Sequence, residues 1–404
     1  MKRTLKVKLA ITLALALVFV QCSQNSNLLT NTTNELITTP IMSNEVRPPT
    51  IEGIAWEIDT NGQFSAPLTL SPELVLFVTG TNTSDTELHA VNPLDGYRKW
   101  SRKIDGVIDS APAYGYERIF VGTRQGELIC LRADDGQSLW SRKLDDPVLG
   151  TPTVRNSGVY VSAGSVYRLT FEGEIVWNKR FGVRSVQPVR EHDNVLTVLA
   201  SDNMLYLLDA EKGSVRNAYK VWFNVSGGVV IDYPAVYITG DNSYVQAIDI
   251  YSEDYLFGRA IRWWWTKAWL YGLAPPPRYP PGYLWQARDL GGNDAYPVRV
   301  DDSKHLVIVE SSQGDGSANR FDPISGEVLW TISDNEYSFT ESAVLLGKYV
   351  VLANKGGQIR TVDYLTGEIA AEYFLGDIAE GPIYLKNNLI FGSKDGTIIS
   401  LAVR

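Results

Sequence analysis

The chain has 404 residues, 44% hydrophobic and 21% charged, which suits a globular protein with a large core. A formal net charge of −9 argues against nucleic acid as a partner, because neutralising phosphates needs a basic face. Three histidines and two cysteines argue against a metal centre or a disulfide framework.

The first element is a predicted secretory signal over residues 1–21. Lys2, Arg3, Lys6 and Lys8 precede an apolar run from Leu9 to Val20 that is too short to span a bilayer comfortably. Cleavage after Gln21 would remove those four cations and leave a more acidic chain. Cys22 then resembles the lipidated cysteine of bacterial lipoproteins, with Leu17 upstream as looser forms of that motif allow; the alternative is an ordinary signal with an incidental cysteine. Residues 22–52 are rich in Ser, Asn and Thr without a sustained period, and read as a flexible tether reaching ~30 Å.

From residue 53 onward the chain repeats. Trp56, Trp100, Trp140 and Trp177 recur about every 40 residues. Asn217 stands in the next such position, Trp285 and Trp330 follow, and Ala371 occupies the last. Each position after Trp56 follows a pair of apolar strands and a turn, as in Arg118–Leu144, where Gln125-Gly126 and Asp134-Asp135-Gly136 make the two turns. A short segment, often with Pro, opens the next unit: Pro67, Pro112, Pro152, Pro188, Pro297, Pro382.

Four strands per unit at this period predict an all-β fold, a single eight-bladed β-propeller. The chain starts with a lone Trp strand at Gly53–Ile58 and ends with three strands that lack one. The two parts are expected to complete the eighth blade and close the ring. Cys130, in an alternating strand, is expected to be an inert packed thiol. The recurring tryptophans are expected to pack between neighbouring blades.

The strand, Asp-Gly turn and Trp pattern over residues 53–404 resembles the pyrroloquinoline-quinone (PQQ)-type repeat family. With a lipoprotein-like signal and one eight-bladed ring, the chain is similar to the BamB-like lipoproteins of outer-membrane β-barrel assembly. That resemblance implies an outer-membrane lipoprotein facing the periplasm, a scaffold rather than an enzyme, with a BamA-like protein as partner. It also implies a docking role for the inter-blade loop Phe181–Arg184, chiefly Val183 and Arg184. A PQQ-dependent dehydrogenase of this architecture would bring adjacent cysteines and a calcium site, and the sequence has no Cys-Cys pair and no heme-attachment motif. No cofactor, metal or catalytic residue is therefore expected, and Asp134, Asp135 and Asp322 read as turn formers.

Residues 251–284 break the pattern where a turn of four or five residues belongs. They hold Trp263, Trp264, Trp265 and Trp269 beside Arg259, Arg262, Lys267 and Arg278. A helix is predicted over Arg259–Tyr271 with Ile261, Trp264, Trp265 and Ala268 on one face, followed by two proline runs. The segment is either a lid packed on the ring or a docking element, with Trp263, Trp264, Trp265, Trp269, Arg259 and Arg262 as partner-binding residues. Besides the scaffold, two other functions fit the sequence: a quinoprotein-like small-molecule binder, and an envelope adhesin or sensor using this segment.

Overall fold

The computed structural model describes residues 47–404 apart from 61–63, 81–85, 182–188, 222, 226–227, 233–234, 255–256, 277–280, 288–289, 291, 302–303 and 311–313. Eight four-stranded antiparallel sheets follow one another along the chain. Blade two is typical: Ala113–Gly115, Arg118–Gly122, Glu127–Arg132 and Ser138–Lys143, paired in sequence order. In a propeller the first strand lies nearest the axis and the fourth at the rim. Burial agrees with this, since Val75–Thr79 and Gly158–Ala163 are buried throughout while Ser138–Lys143 is largely exposed.

The apolar runs lack clean alternation because both faces of a blade are covered. Ile119 and Val121 pack with Leu76, Val78 and Leu88 of blade one. Phe120, between them, packs with Val159, Val161 and Tyr167 of blade three. One strand thus feeds two inter-blade layers, and each layer needs its own apolar set. Cys130 belongs to the second layer, and burial pushes its thiol up to about 12, which keeps it unreactive.

The ring closes through blade eight. Ile51–Asp59 is its fourth strand and pairs antiparallel with Thr397–Val403, with Ile51 opposite Val403 and Asp59 opposite Thr397. The Thr50 amide donates to the Arg404 carbonyl at 3.1 Å, and the Arg404 amide returns the bond to Thr50 at 3.0 Å. Both ends of the ring are therefore held in one blade.

The tryptophans join each blade to the next. Trp100 Nε1 donates to the Ala133 carbonyl at 2.8 Å, and Trp140 Nε1 to Phe171 at 2.8 Å. Trp56, Trp177, Trp285 and Trp330 do the same to Pro93, Ala210, Pro323 and Tyr364. Every acceptor lies in the turn between the third and fourth strands of the following blade, just before its glycine. A glycine in that turn lies on the indole: a Cβ on Gly136 would come within 2.6 Å of Trp100, and Gly136 has φ +69°. Only glycine serves there, for conformation and for space.

Candidate functional site in the aromatic insertion

The departure from this scheme lies in blade five, between its third strand Tyr244–Asp249 and its fourth, Tyr283–Ala287. The Asp249 amide donates to the Gly282 carbonyl at 2.8 Å, so the long excursion still closes at its base like a short turn. Blade four grips that base. Asn217 replaces the indole and donates Nδ2 to the Tyr219 hydroxyl at 2.7 Å. That hydroxyl donates to the Pro281 carbonyl and lies against Ser252 Oγ. Burial pushes the Tyr219 hydroxyl up to about 12, so it remains a donor throughout the physiological range. Tyr251 adds a second tie, donating to Asp193 Oδ2 of blade four at 2.7 Å.

A helix, Gly258–Leu270, crowns the insertion. It starts after Phe257, which is left-handed at φ 60° and supplies no side-chain cap. It stops in a Schellman motif: Leu273 N donates to Ala268 O at 2.8 Å, and Gly272 N donates to Trp269 O at 2.8 Å. Gly272, at φ +69°, provides the left-handed residue that this ending requires. Arg262 clamps Asp254 with two hydrogen bonds, 2.8 and 2.6 Å, and both side chains are mostly covered. Trp265 Nε1 donates to the Pro275 carbonyl at 2.9 Å and holds the proline run against the helix.

Ala268, Ile261, Trp265 and Arg262 are partly covered, Trp269 lies exposed among them, and the opposite arc is exposed throughout. Trp263 and Trp264 are 55% and 68% exposed and meet edge to face at 4.7 Å. Lys267 Nζ sits 5.5 Å from the Trp263 ring centre, and Leu270 and Tyr271 complete the arc. The sequence reading put Trp264 on one face with Ile261, Trp265 and Ala268; those three are partly covered, whereas Trp264 is exposed. As residue i+3 from Ile261 it lies at that face's edge, and the Arg262–Asp254 pair turns the opposite edge inward.

Of the other expected partner-binding residues, Trp269 is exposed, Trp265 is half-buried and Arg262 is committed to Asp254. Arg259 lies in the first helical turn. Cys22, Val183 and Arg184 lie outside the described residues. The Asn217–Tyr219–Ser252 clasp and the Arg262–Asp254 clamp were not foreseen; an Asn in a Trp slot was the available signal.

Because antiparallel strands alternate in direction, the insertion lies on the ring face of the first-to-second strand turns. The opposite face carries the inter-blade loops and a polar cluster that the sequence did not reveal. Lys355 Nζ lies 3.1 Å from Glu310 Oε2, and Ser338 donates to Glu310 Oε1 at 3.1 Å. Nearby, burial and then the Glu341 charge push Glu380 up to about 7, against the pull of Lys355. Two of the turn acids accept from turn amides, Asp135 from Gln137 N at 3.0 Å and Asp322 from two donors. Asp322 accepts from Ser325 N at 2.7 Å and Ile324 N at 2.9 Å, and these bonds hold it below the usual carboxylate range. Among the described residues, no three His, Cys, Asp or Glu side chains converge as metal ligands would.

Comparison with known proteins places this geometry. A family described as outer membrane protein assembly factor BamB matches residues 84–282. No curated protein matches the chain. Among solved structures, BamB from Moraxella catarrhalis is 17% identical with a TM-score of 0.61, over 88% of this chain and 97% of its own. The computationally designed Ika8 protein is 14% identical at a TM-score of 0.63, over 87% and 99%. Quinohemoprotein alcohol dehydrogenase from Comamonas testosteroni is 12% identical at 0.62, over 88% and 77%. At these identities the structural likeness is one of fold.

Proposed function

We propose that this PQQ-type-repeat, BamB-like β-propeller is a non-catalytic scaffold of the bacterial cell envelope. In this reading it is an outer-membrane lipoprotein anchored through Cys22, facing the periplasm and serving the assembly of β-barrel proteins. The observation that carries the reading is the match of residues 84–282 to the family described as outer membrane protein assembly factor BamB. The ring supplies a rigid frame with its backbone bonds satisfied, and binding falls to what projects from it. Two projections are proposed as docking elements: the inter-blade loop bearing Val183 and Arg184, for a BamA-like partner, and the insertion bearing Trp263, Trp264 and Trp269. Large aromatic side chains on a braced element suit docking, since little conformational entropy is lost on binding.

Envelope membranes solubilised from cells producing the tagged full chain test this reading. A barrel-assembly component is expected to co-purify, and its consistent absence beside an unrelated partner would exclude the assembly role. A second reading, a quinoprotein-like binder of small molecules, draws on the fold shared with quinohemoprotein alcohol dehydrogenase. Titration of the purified chain with PQQ and calcium separates the two: the scaffold predicts no binding, and tight binding with dye reduction would replace it.

A further inference from the structure

We propose that the exposed arc of the insertion helix docks on an anionic phospholipid surface, lying in the interface rather than crossing it. The inference rests on reading the insertion as a docking element, not on the barrel-assembly role.

The face itself points to lipid. Its exposed side chains are Ala260, Trp263, Trp264, Lys267, Leu270 and Tyr271, with Phe257 and Leu273 prolonging it at either end. It holds no Asp or Glu, so no side chain on it repels an anionic headgroup, and Lys267 attracts one. Trp and Tyr favour the headgroup boundary of a bilayer, and a central Lys can extend its ammonium to phosphate while its stem stays among the rings. No helix among the described residues is long and apolar enough to cross a membrane, and Gly258–Leu270 is a short helix whose ion pair with Asp254 lies on its inner side.

Charge selects the kind of surface. Between Asp254 and the end of the insertion the sequence has no acidic residue, while it has Arg259, Arg262, Lys267 and Arg278, on a chain of net charge −9. Anionic headgroups attract this segment and repel the rest of the ring, which favours one orientation.

Topology supports the same orientation. Thr50 and Arg404 meet where blade eight would have its third-to-fourth strand turn, which is the ring face that carries the insertion. The chain preceding Thr50 therefore leaves from that face.

Flotation with vesicles tests the inference, using the full chain carrying Cys22→Ser so that no acyl chain contributes. Vesicles of phosphatidylethanolamine and phosphatidylglycerol (7:3) are expected to carry the protein up the gradient, and pure phosphatidylcholine vesicles to carry much less. Adding Trp263→Ser and Trp264→Ser should cut the bound fraction at least tenfold, with an unchanged thermal transition because both side chains are exposed. Bromine-labelled acyl chains should quench part of the tryptophan fluorescence of the parent and none of that part in the double variant. Equal flotation of parent and variant would overturn the proposal. So would a variant that keeps vesicle binding but loses a co-purifying protein, which would make the arc a protein interface. Loss of the barrel-assembly component alone, with vesicle binding intact in the parent and lost in the variant, would remove the assembly role and leave the lipid inference standing.

Discussion

In blade four, Asn217 Nδ2 donates to the Tyr219 hydroxyl at 2.7 Å in the slot where six other blades place an indole. The reason lies one blade further on. Each indole is received by the third-to-fourth strand turn of the following blade, through a carbonyl and a glycine. Blade five has opened that turn into the insertion, and Asn217 with Tyr219 binds its base instead. Blade eight has no such turn at all, because its fourth strand is the start of the ring. Ala371 of blade seven therefore has nothing to receive an indole, and a small residue suffices.

Tyr219→Phe removes the hydroxyl that reaches Pro281, leaving the Pro281 carbonyl without that donor and Asn217 Nδ2 with only its 3.4 Å contacts to Ser252. The expected cost is about 1–3 kcal/mol, concentrated at the insertion. Hydrogen exchange and limited proteolysis should show faster opening in residues 250–282 before any change in the rest of the ring. Uniform loosening of all blades would contradict the clasp.

Two glycines with one backbone angle separate strain from collision. Gly136 and Gly272 both have φ +69°. A Cβ on Gly136 meets the Trp100 ring at 2.6 Å, whereas nothing lies within 4 Å of one on Gly272. Gly272→Ala should cost about 1 kcal/mol, and Gly136→Ala about 3 kcal/mol or more. Denaturant unfolding of the two variants measures the difference.

Ala371→Trp should not restore a blade-to-blade tie. The new indole has no carbonyl and no glycine to meet in blade eight, so the expected gain is about zero and within ±0.5 kcal/mol. A clear rise in thermal midpoint would mean that the receiving turn is not what the indoles require.

Glu380 gives a pH dependence. Its folded pKa is raised from the ordinary 4.5 to about 7, with burial the main cause and Glu341 the second. Below about 4.5 the residue is protonated whether the chain is folded or not. Between 4.5 and 7 the folded chain keeps a proton that the unfolded chain has released, so stability falls as pH rises through that window. Above 7 the loss is complete. Glu380→Gln should therefore leave stability unchanged near pH 4 and raise it by about 1–2 kcal/mol near pH 8, allowing for partial solvation. A variant equally stable, or less stable, at pH 8 would refute this.

The ring was legible because its repeat is enforced residue by residue. Trp56, Trp100 and Trp140 each require a glycine turn 33 to 40 residues on, and such pairs survive as visible marks in the chain. The count of those marks gives the blades, and the unpaired strand at one end gives the closure. The insertion was equally visible, since nothing in a propeller calls for three consecutive tryptophans. Its presentation was not legible. Arg262 pairs with Asp254, a contact between a helix and a preceding loop that no periodicity records. The Glu310–Lys355 pair with Glu380 was hidden for a similar reason: its members come from three blades and meet only in the closed ring.

The indole contacts also bear on how such rings can be built or altered. A structural blade is not the portable piece of this chain. The Trp strand of one blade and the first three strands of the next depend on each other, so the heritable module straddles the boundary between sheets. Grafting the blade-five insertion onto another propeller would fail if residues 228–287 were moved alone. It would have to travel with Asn217 and Tyr219, and the recipient blade before it would have to surrender its tryptophan.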